Sequence, residues 1–308
     1  MTTNAIQSSH IYSTYFAPRG RSRIYTLGMQ IAQLYLSPFD QIIGFIGEAC
    51  SGKSVLIKGM FPGIELTNDD DGVNVRPLPL LEQEYETGFF TPHTYHLDIR
   101  FETGFHQLSE LADAVRLAVR RGKRIIIEHF DLIYPLLGVN ANLLIGVGEQ
   151  IVITRPNLFG PLPQELCDIV YPSLAYRLMA HSAEDLCEYA MTQEQMLACS
   201  HGDIRHGFVL EFNEHQPDID IPTLEARVNE LIRQDLPIDY YDESHILLGG
   251  AQHYCTGPRT HVRSTGRIIG FRLLDHFIYD HFHKTYMLVG CVGDDSEENI
   301  RKLETIHG

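Results

Sequence analysis

The chain has 308 residues, 44% of them hydrophobic and 21% charged, a balance that excludes a disordered polymer and gives room for two domains of ordinary size. Its formal charge of -16 excludes a general nucleic-acid-coating surface. No apolar run approaches the ~20 residues of a spanning helix, Met1–His10 has neither the basic start nor the apolar centre of a signal peptide, and Cys50, Cys167, Cys187, Cys199, Cys255 and Cys291 form no tight framework, so a cytoplasmic protein with reduced thiols and no membrane partner is expected.

Residues 1–20 read as poorly ordered. Pro18-Arg-Gly-Arg-Ser-Arg is a basic lead-in, either a solvated tail or a phosphate contact. Leu27, Ile31 and Leu34 recur at helical spacing between Ile24 and Leu36, so a helix precedes the first strand. Gln41-Ile-Ile-Gly-Phe-Ile then reads as a buried strand and Val55–Met60 as a helix start. Between them stands Gly47-x4-Gly52-Lys53-Ser54, the P-loop pattern. Glycines let backbone N–H groups curl round phosphate oxygens, the helix N-terminus adds a favourable dipole, and Lys53 reaches the outer phosphates. Ser54 is placed to hold Mg2+ shared with those phosphates. ATP or another nucleoside triphosphate is the expected ligand.

Gly63–Thr67 reads as a short second strand, followed by Asn68-Asp69-Asp70-Asp71-Gly72. Those carboxylates, Asp70 among them, either activate a substrate hydroxyl and hold Mg2+ through water, or simply form an acidic turn. Residues 73–105, rich in Pro, Tyr and His, read as irregular. They include Thr91-Pro-His-Thr-Tyr-His-Leu-Asp98, a candidate substrate-covering segment, and His93 and His96 are read as structural. Phe105–Arg121 is amphipathic with a basic last turn and a stop at Gly122. Arg124-Ile-Ile-Ile-Glu128-His-Phe-Asp131 is a buried β-branched strand with acids at its carboxyl end, the edge at which open α/β sheets bind ligands. Glu128 or Asp131 is the candidate carboxylate behind the Mg2+. Asn142–Gly146 and Gln150–Thr154 complete a five-stranded sheet, and Arg155–Pro163, dense in Pro and Gly, reads as a linker.

On the glycine loop, the acids Asp69-Asp70 and the Ile-Ile-Ile-Glu128 strand, this half resembles the P-loop kinases of the uridine-kinase type. The resemblance implies that Lys53 and Ser54 bind phosphate and Mg2+ and that Asp70 or a neighbour is the base toward a hydroxyl acceptor. One departure stands out. No arginine-rich lid lies between Glu128 and Pro163, where such kinases carry cations that stabilise the transferred group.

In the second half, Tyr171–Thr192 is helical by period. It carries His181 and Asp185 four apart on one face, the spacing of two helical metal ligands or of a surface ion pair. A second amphipathic helix runs from Ile221 to a stop at Pro237, and the alternating run after Gly266 reads as a strand. His276–His283 alternates histidines with aromatics and reads as an element with one polar face.

Thr260-His261-Val-Arg-Ser-Thr265-Gly266 is similar to the Cys-Gly-Gly-Thr-His-Val-x-x-Thr-Gly segment of the alanyl-tRNA synthetase editing domain, the second additional domain. His181-Ser-Ala-Glu-Asp185-Leu looks like that domain's His-Thr-Ala-x-His-Leu helix, and Glu225-Ala-Arg-Val-Asn229 like its intervening helix. The resemblance covers about residues 170–290. It implies a Zn2+ site on His181, Asp185, Cys255 and His261 that hydrolyses the ester of an aminoacyl-tRNA or a small aminoacyl compound. Asp185 replaces a histidine of the family. Cys255 stands six residues before His261 instead of four, and Gly257 is at the family's cysteine position. Either the carboxylate and the longer turn still serve a metal, with His253 able to substitute, or the site keeps the fold without the ion. No counterpart of the family's Gly-rich barrel segment is found in residues 140–170.

The expected fold is therefore an α/β P-loop NTPase-type domain, a parallel sheet flanked by helices, over residues 1–165. An α+β editing-type domain follows over residues 166–308. Three functions fit: ester hydrolysis in the second domain beside a nucleotide-binding first domain, a small-molecule or nucleoside kinase whose second domain binds substrate, and a non-catalytic sensor of nucleotide and aminoacyl compounds.

Overall fold

A computed structural model describes residues 12–67, 80–81, 93–213 and 215–307 of the chain. Asp70 and its acidic neighbours lie outside them. The fold is α/β, with one mixed sheet that contains parallel strands and further antiparallel sheets. Two compact units divide the chain. Among the described residues, one unit holds Tyr12–Tyr15 with those from Ser22 to Pro172, and the other holds Phe16–Arg21 with those from Ser173 onward.

The first unit contains β1 (Tyr12–Phe16), α1 (Arg21–Tyr35), β2 (Ile42–Ile46), α2 (Lys53–Met60), β3 (Thr94–Asp98), α3 (Ile99–Glu102), α4 (Leu108–Arg120), β4 (Arg124–Glu128), α5 (Phe130–Leu137), β5 (Leu143–Val147) and β6 (Gln150–Thr154). Its six strands lie in the order β1-β6-β5-β2-β4-β3. Strand β2 is parallel to β4 and β5, β3 is parallel to β4, and β6 returns antiparallel to β5. The central strands are unbroken apolar runs because both sheet faces are covered: Ile42, Ile43, Phe45, Ile46 and Ile125–Ile127 are all buried. Helix α4 packs its stripe of Leu111, Ala112, Ala114, Val115 and Ala118 inward. The carboxylate of Glu110 takes the Gln107 N–H at its start, and Gly122, at φ +75°, ends it.

Three expectations change here. Gly63–Thr67 forms no strand, because Gly63 sits in a turn at φ +84° and the residues after it join no ladder. The strand beside β4 is instead Thr94–Asp98, inside the segment read as irregular. Its alternation of Thr, Tyr, His and Leu suits a ladder, and the N–H of Arg124 bonds to the carbonyl of His93 at 3.0 Å. Part of the supposed tail is likewise ordered, as strand β1.

The Pro- and Gly-rich residues 155–162 connect β6 to α6 (Pro163–Ala190), a helix of 28 residues inside which the chain passes from the first unit to the second. After it come α7 (Gln193–Ala198), β7 (Cys199–Ile204), β8 (Gly207–Asn213), α8 (Ile221–Arg233), β9 (Ile238–Asp242), β10 (His245–Leu248), β11 (Ala251–Tyr254), β12 (Arg272–Leu273), β13 (Ile278–Asp280), β14 (Thr285–Cys291) and α9 (Ser296–His307). An antiparallel sheet runs β12-β14-β8-β7 with β13 also on β14, and β9, β10 and β11 form a separate meander. Leu186, Phe208, Leu210, Phe212, Val228 and Leu288 are among the buried residues of this unit's core.

The strand expected directly after Gly266 is reduced to the two residues of β12. Thr265–Arg267 is a 3-10 turn whose Gly266 N–H bonds to Asp235. Gly270 follows at φ +62°, where a Cβ would meet the Gly293 carbonyl oxygen at 2.1 Å. Among the described residues no helix is long and apolar enough to cross a membrane.

Candidate functional site

In the first unit the chain leaves β2 through Gly47 and enters α2 through Gly52. A Cβ at Gly47 would lie 2.5 Å from the carbonyl oxygen of Val147, and Gly52 stands at φ +92°, a conformation that favours glycine. Lys53, only 5% exposed, folds back over the loop and donates to the carbonyls of Gly47 at 2.9 Å and Glu48 at 2.8 Å. Its Nζ is also 3.8 Å from the Glu128 carboxylate. Burial, which penalises the ammonium, lowers the Lys53 pKa.

Glu128, at the carboxyl end of β4, gathers the neighbours. It accepts the Ser54 hydroxyl at 3.3 Å and lies 3.1 Å from Nε2 of His96. Nδ1 of His96 accepts the backbone N–H of Thr67 at 3.1 Å, which leaves the ring proton on Nε2 to be donated to Glu128. Burial alone would raise the Glu128 pKa, but the His96 hydrogen bond and the Lys53 charge outweigh it and hold the carboxyl below its ordinary value.

Asp98 ends β3 directly opposite Glu128 in the parallel ladder. It accepts the Phe101 N–H at 3.1 Å as the cap of α3, and burial together with the Glu128 charge raises its pKa. Arg100, half exposed on α3, pairs with Glu48 at 3.0 Å. From the sequence, Asp98 is expected only as the end of a substrate-covering segment, and Arg100 is not singled out at all. The signal was present in Leu97-Asp98-Ile99-Arg100: an apolar alternation that ends in an N-capping acid. Of the two acids proposed beyond the Ile-Ile-Ile run, Glu128 reaches Ser54, whereas Asp131 accepts from the Tyr171 hydroxyl at 3.5 Å.

In the second unit, His181, Glu184, Asp185 and Glu188 fall at helical spacing along one stripe of α6, and all four are buried. His181 and Asp185 are thus no surface pair. Asp185, Cys255 and His261 converge, with potential ligand atoms all within 4.8 Å of one another. His261 Nε2 is 2.5 Å from Asp185 and 3.7 Å from the Cys255 sulfur. His181 does not join them. Its Nε2 lies 3.5 Å from Asp203 on β7, and burial pushes its pKa down to about 4, so the ring is neutral. His253 groups instead with Asp185 and Glu188.

The residue that ties this cluster together is Arg19. It belongs to the basic lead-in expected as either a solvated tail or a phosphate contact, yet Arg19 is 1% exposed and its guanidinium donates to Glu184, Asp185 and, at 2.9 Å, the Cys255 sulfur. Burial pushes the Cys255 thiol up to about 12 and Glu188 up to about 7. His201 on β7 bridges Glu184 at 3.0 Å and Glu188 at 3.1 Å. Burial opposes its charge, but the Glu184 hydrogen bond and the two carboxylate charges prevail and raise its pKa. Glu184, Asp185 and Glu188 share one face of α6 with His181, and acids gathered on the buried side of a helix call for a counter-charge. Nothing local in the sequence pointed to Arg19 as its source.

No protein-family model matches the chain, and no curated protein matches it.

Proposed function

We propose that the first unit is a P-loop phosphotransferase of the uridine-kinase type, which binds a nucleoside triphosphate with Mg2+ and passes its terminal phosphoryl group to the hydroxyl of a small molecule. The observation that carries this reading is the set Lys53, Ser54, Glu128 and Asp98, gathered at the carboxyl ends of adjacent parallel strands around a glycine loop. The strand order β3-β4-β2-β5, with the acid-bearing strand beside the one that enters the loop, supports it further.

Each residue has a distinct task. The backbone of residues 47–52 cradles the phosphates at the start of α2. Lys53 exchanges its bonds to the Gly47 and Glu48 carbonyls for phosphate oxygens. The Ser54 hydroxyl and the Glu128 carboxylate, adjacent hard oxygen donors, fit a hard dication. When bound, Mg2+ neutralises charge on the phosphates. Asp98, with its raised pKa, accepts the proton of the attacking hydroxyl. Arg155, within residues 128–163, is held by Asp40 at 2.6 Å, so Arg100 supplies the cation, released from Glu48 toward the transferred group.

The test is twofold. Mg-ATP and Mg-GTP should raise the melting temperature of the wild type and raise that of Lys53→Ala clearly less, and a panel of nucleosides and other hydroxyl compounds should then be scanned for ADP or GDP release. A wild-type protein that binds no nucleoside triphosphate sinks the proposal.

A second reading concerns the second unit alone: hydrolysis of an aminoacyl ester, on tRNA or on a small molecule. It is favoured by Glu188, whose pKa near neutrality suits a base toward water, beside His253. Release of amino acid from alanyl-, seryl- and threonyl-tRNA by wild type and Glu188→Gln tests it. No release by the wild type leaves this unit a binding module.

A further inference from the structure

The close grouping of Asp185, Cys255 and His261 has the composition of a zinc site, an oxygen, a sulfur and a nitrogen donor. Those atoms already have a cation among them. Arg19 donates to Asp185 and to the Cys255 sulfur, and its other terminal nitrogen takes Glu184. The second oxygen of Asp185 meets His261, and the Gly257 N–H points at the Cys255 sulfur from 3.2 Å. The fourth expected ligand, His181, is turned to Asp203. A dication at this position would stand against a guanidinium that stays protonated at any working pH. The residues as arranged do not fit zinc.

We propose that Arg19 takes the place of a metal ion in the second unit, a buried guanidinium that holds Asp185, Glu184 and Cys255 in one fixed arrangement without zinc. The backbone on both sides is shaped to admit it. Gly20 stands at φ +87°, and a Cβ there would lie 2.9 Å from the Thr256 carbonyl oxygen. A Cβ on Gly257 would lie 3.0 Å from Cγ of Arg19 and 2.9 Å from Oγ1 of Thr260. Glycine at both positions lets the Arg19 segment and the Cys255 turn approach each other, so the arginine is built in. The same closeness accounts for Gly257 at the position where the resemblance led one to expect cysteine. A side chain there would collide with the Arg19 stem.

The chemical consequence follows from the cation. Arg19 supplies a permanent charge and a planar set of donors, but no open coordination position and no metal-activated water. It fixes the carboxylate, thiol and imidazole in place, and any hydrolysis in this unit depends on protein bases. This inference does not rest on phosphotransfer by the first unit.

The experiment uses the full chain, grown with added zinc and purified without chelators. Metal content is measured by mass spectrometry, and Co2+ titration reads the thiolate-to-cobalt charge-transfer band. The wild type should carry far less than equimolar zinc, show no such band, and melt at the same temperature with zinc or with EDTA. Arg19→Ala, which frees the three donors, should gain the band and lose it again in Arg19→Ala/Cys255→Ser. Arg19→Lys, which keeps the charge, should stay metal-free. Equimolar zinc retained by the wild type overturns the proposal, as does a folded Arg19→Ala that gains no band. Should Arg19→Ala fail to fold in the absence of metal, zinc must restore its cooperative melting, and failure to do so is equally fatal.

Discussion

Arg19 and Asp185 stand 166 positions apart in the sequence and form a buried ion pair, with both side chains almost wholly removed from water. Such a pair is strongly conditional. Each charge is tolerated inside only because the other is there. Arg19→Ala leaves Asp185 and Glu184 without their cation, and a loss of about 3–5 kcal/mol is expected in the urea unfolding of the second unit. Arg19→Lys should recover only part of it, because a single ammonium cannot reach three acceptors as a planar fork does. A loss within about 0.5 kcal/mol for Arg19→Ala, the range of an ordinary surface change, would contradict the buried pair.

Lys53→Ala should leave the first unit folded and weaken nucleoside triphosphate binding about ten- to a hundredfold, the cost of one or more charge-assisted hydrogen bonds to phosphate. Calorimetric titration with a non-hydrolysable ATP analogue and Mg2+ reads this. Equal affinity in the variant would remove Lys53 from the site.

Asp98→Asn separates proton acceptance from binding. The turnover number for the best acceptor should fall about 10²- to 10⁴-fold, the range of a positioned general base, while the affinity for nucleotide stays level. The cap on α3 survives, since the asparagine oxygen still accepts the Phe101 N–H. A variant with wild-type turnover would leave the acceptor's base to be sought elsewhere.

Glu188 gives the second unit a definite pH signature. Its folded pKa is raised from 4.5 to about 7, so between those values the native state holds a proton that the unfolded chain has released. Stability from this group is therefore full below about 4.5, declines as pH rises through the window, and is level above about 7. The slope is at most about 1.4 kcal/mol per pH unit. Glu188→Gln should remove this component, visible as a flatter plot of unfolding free energy against pH. An unchanged slope would mean that Glu188 titrates normally.

Much of the first unit was legible in the chain itself. Buried strands at Ile42–Ile46 and Arg124–Glu128 announce themselves by β-branched runs, and the order strand, glycine loop, helix is local. So is the place of Gly47, Gly52, Lys53 and Ser54 between that strand and the start of α2, because the residues of such a loop are adjacent in the chain. Glu128 followed from its place at a strand end.

The rest was decided by tertiary contact. Sequence pattern favoured Gly63–Thr67 as the second strand, and only the ladder with β4 selects Thr94–Asp98 and so brings Asp98 opposite Glu128. In the second unit the helical period of α6 put His181 and Asp185 on one face, but which of them meets Cys255 and His261 depends on elements far apart in the chain. Arg19 is the clearest case. In sequence it is one basic residue among several near the start, and its burial is dictated by carboxylates on α6 that could not be left inside without a cation. Periodicity and turn chemistry are local and can be read from the chain, whereas the pairing of buried charges is settled where distant segments meet.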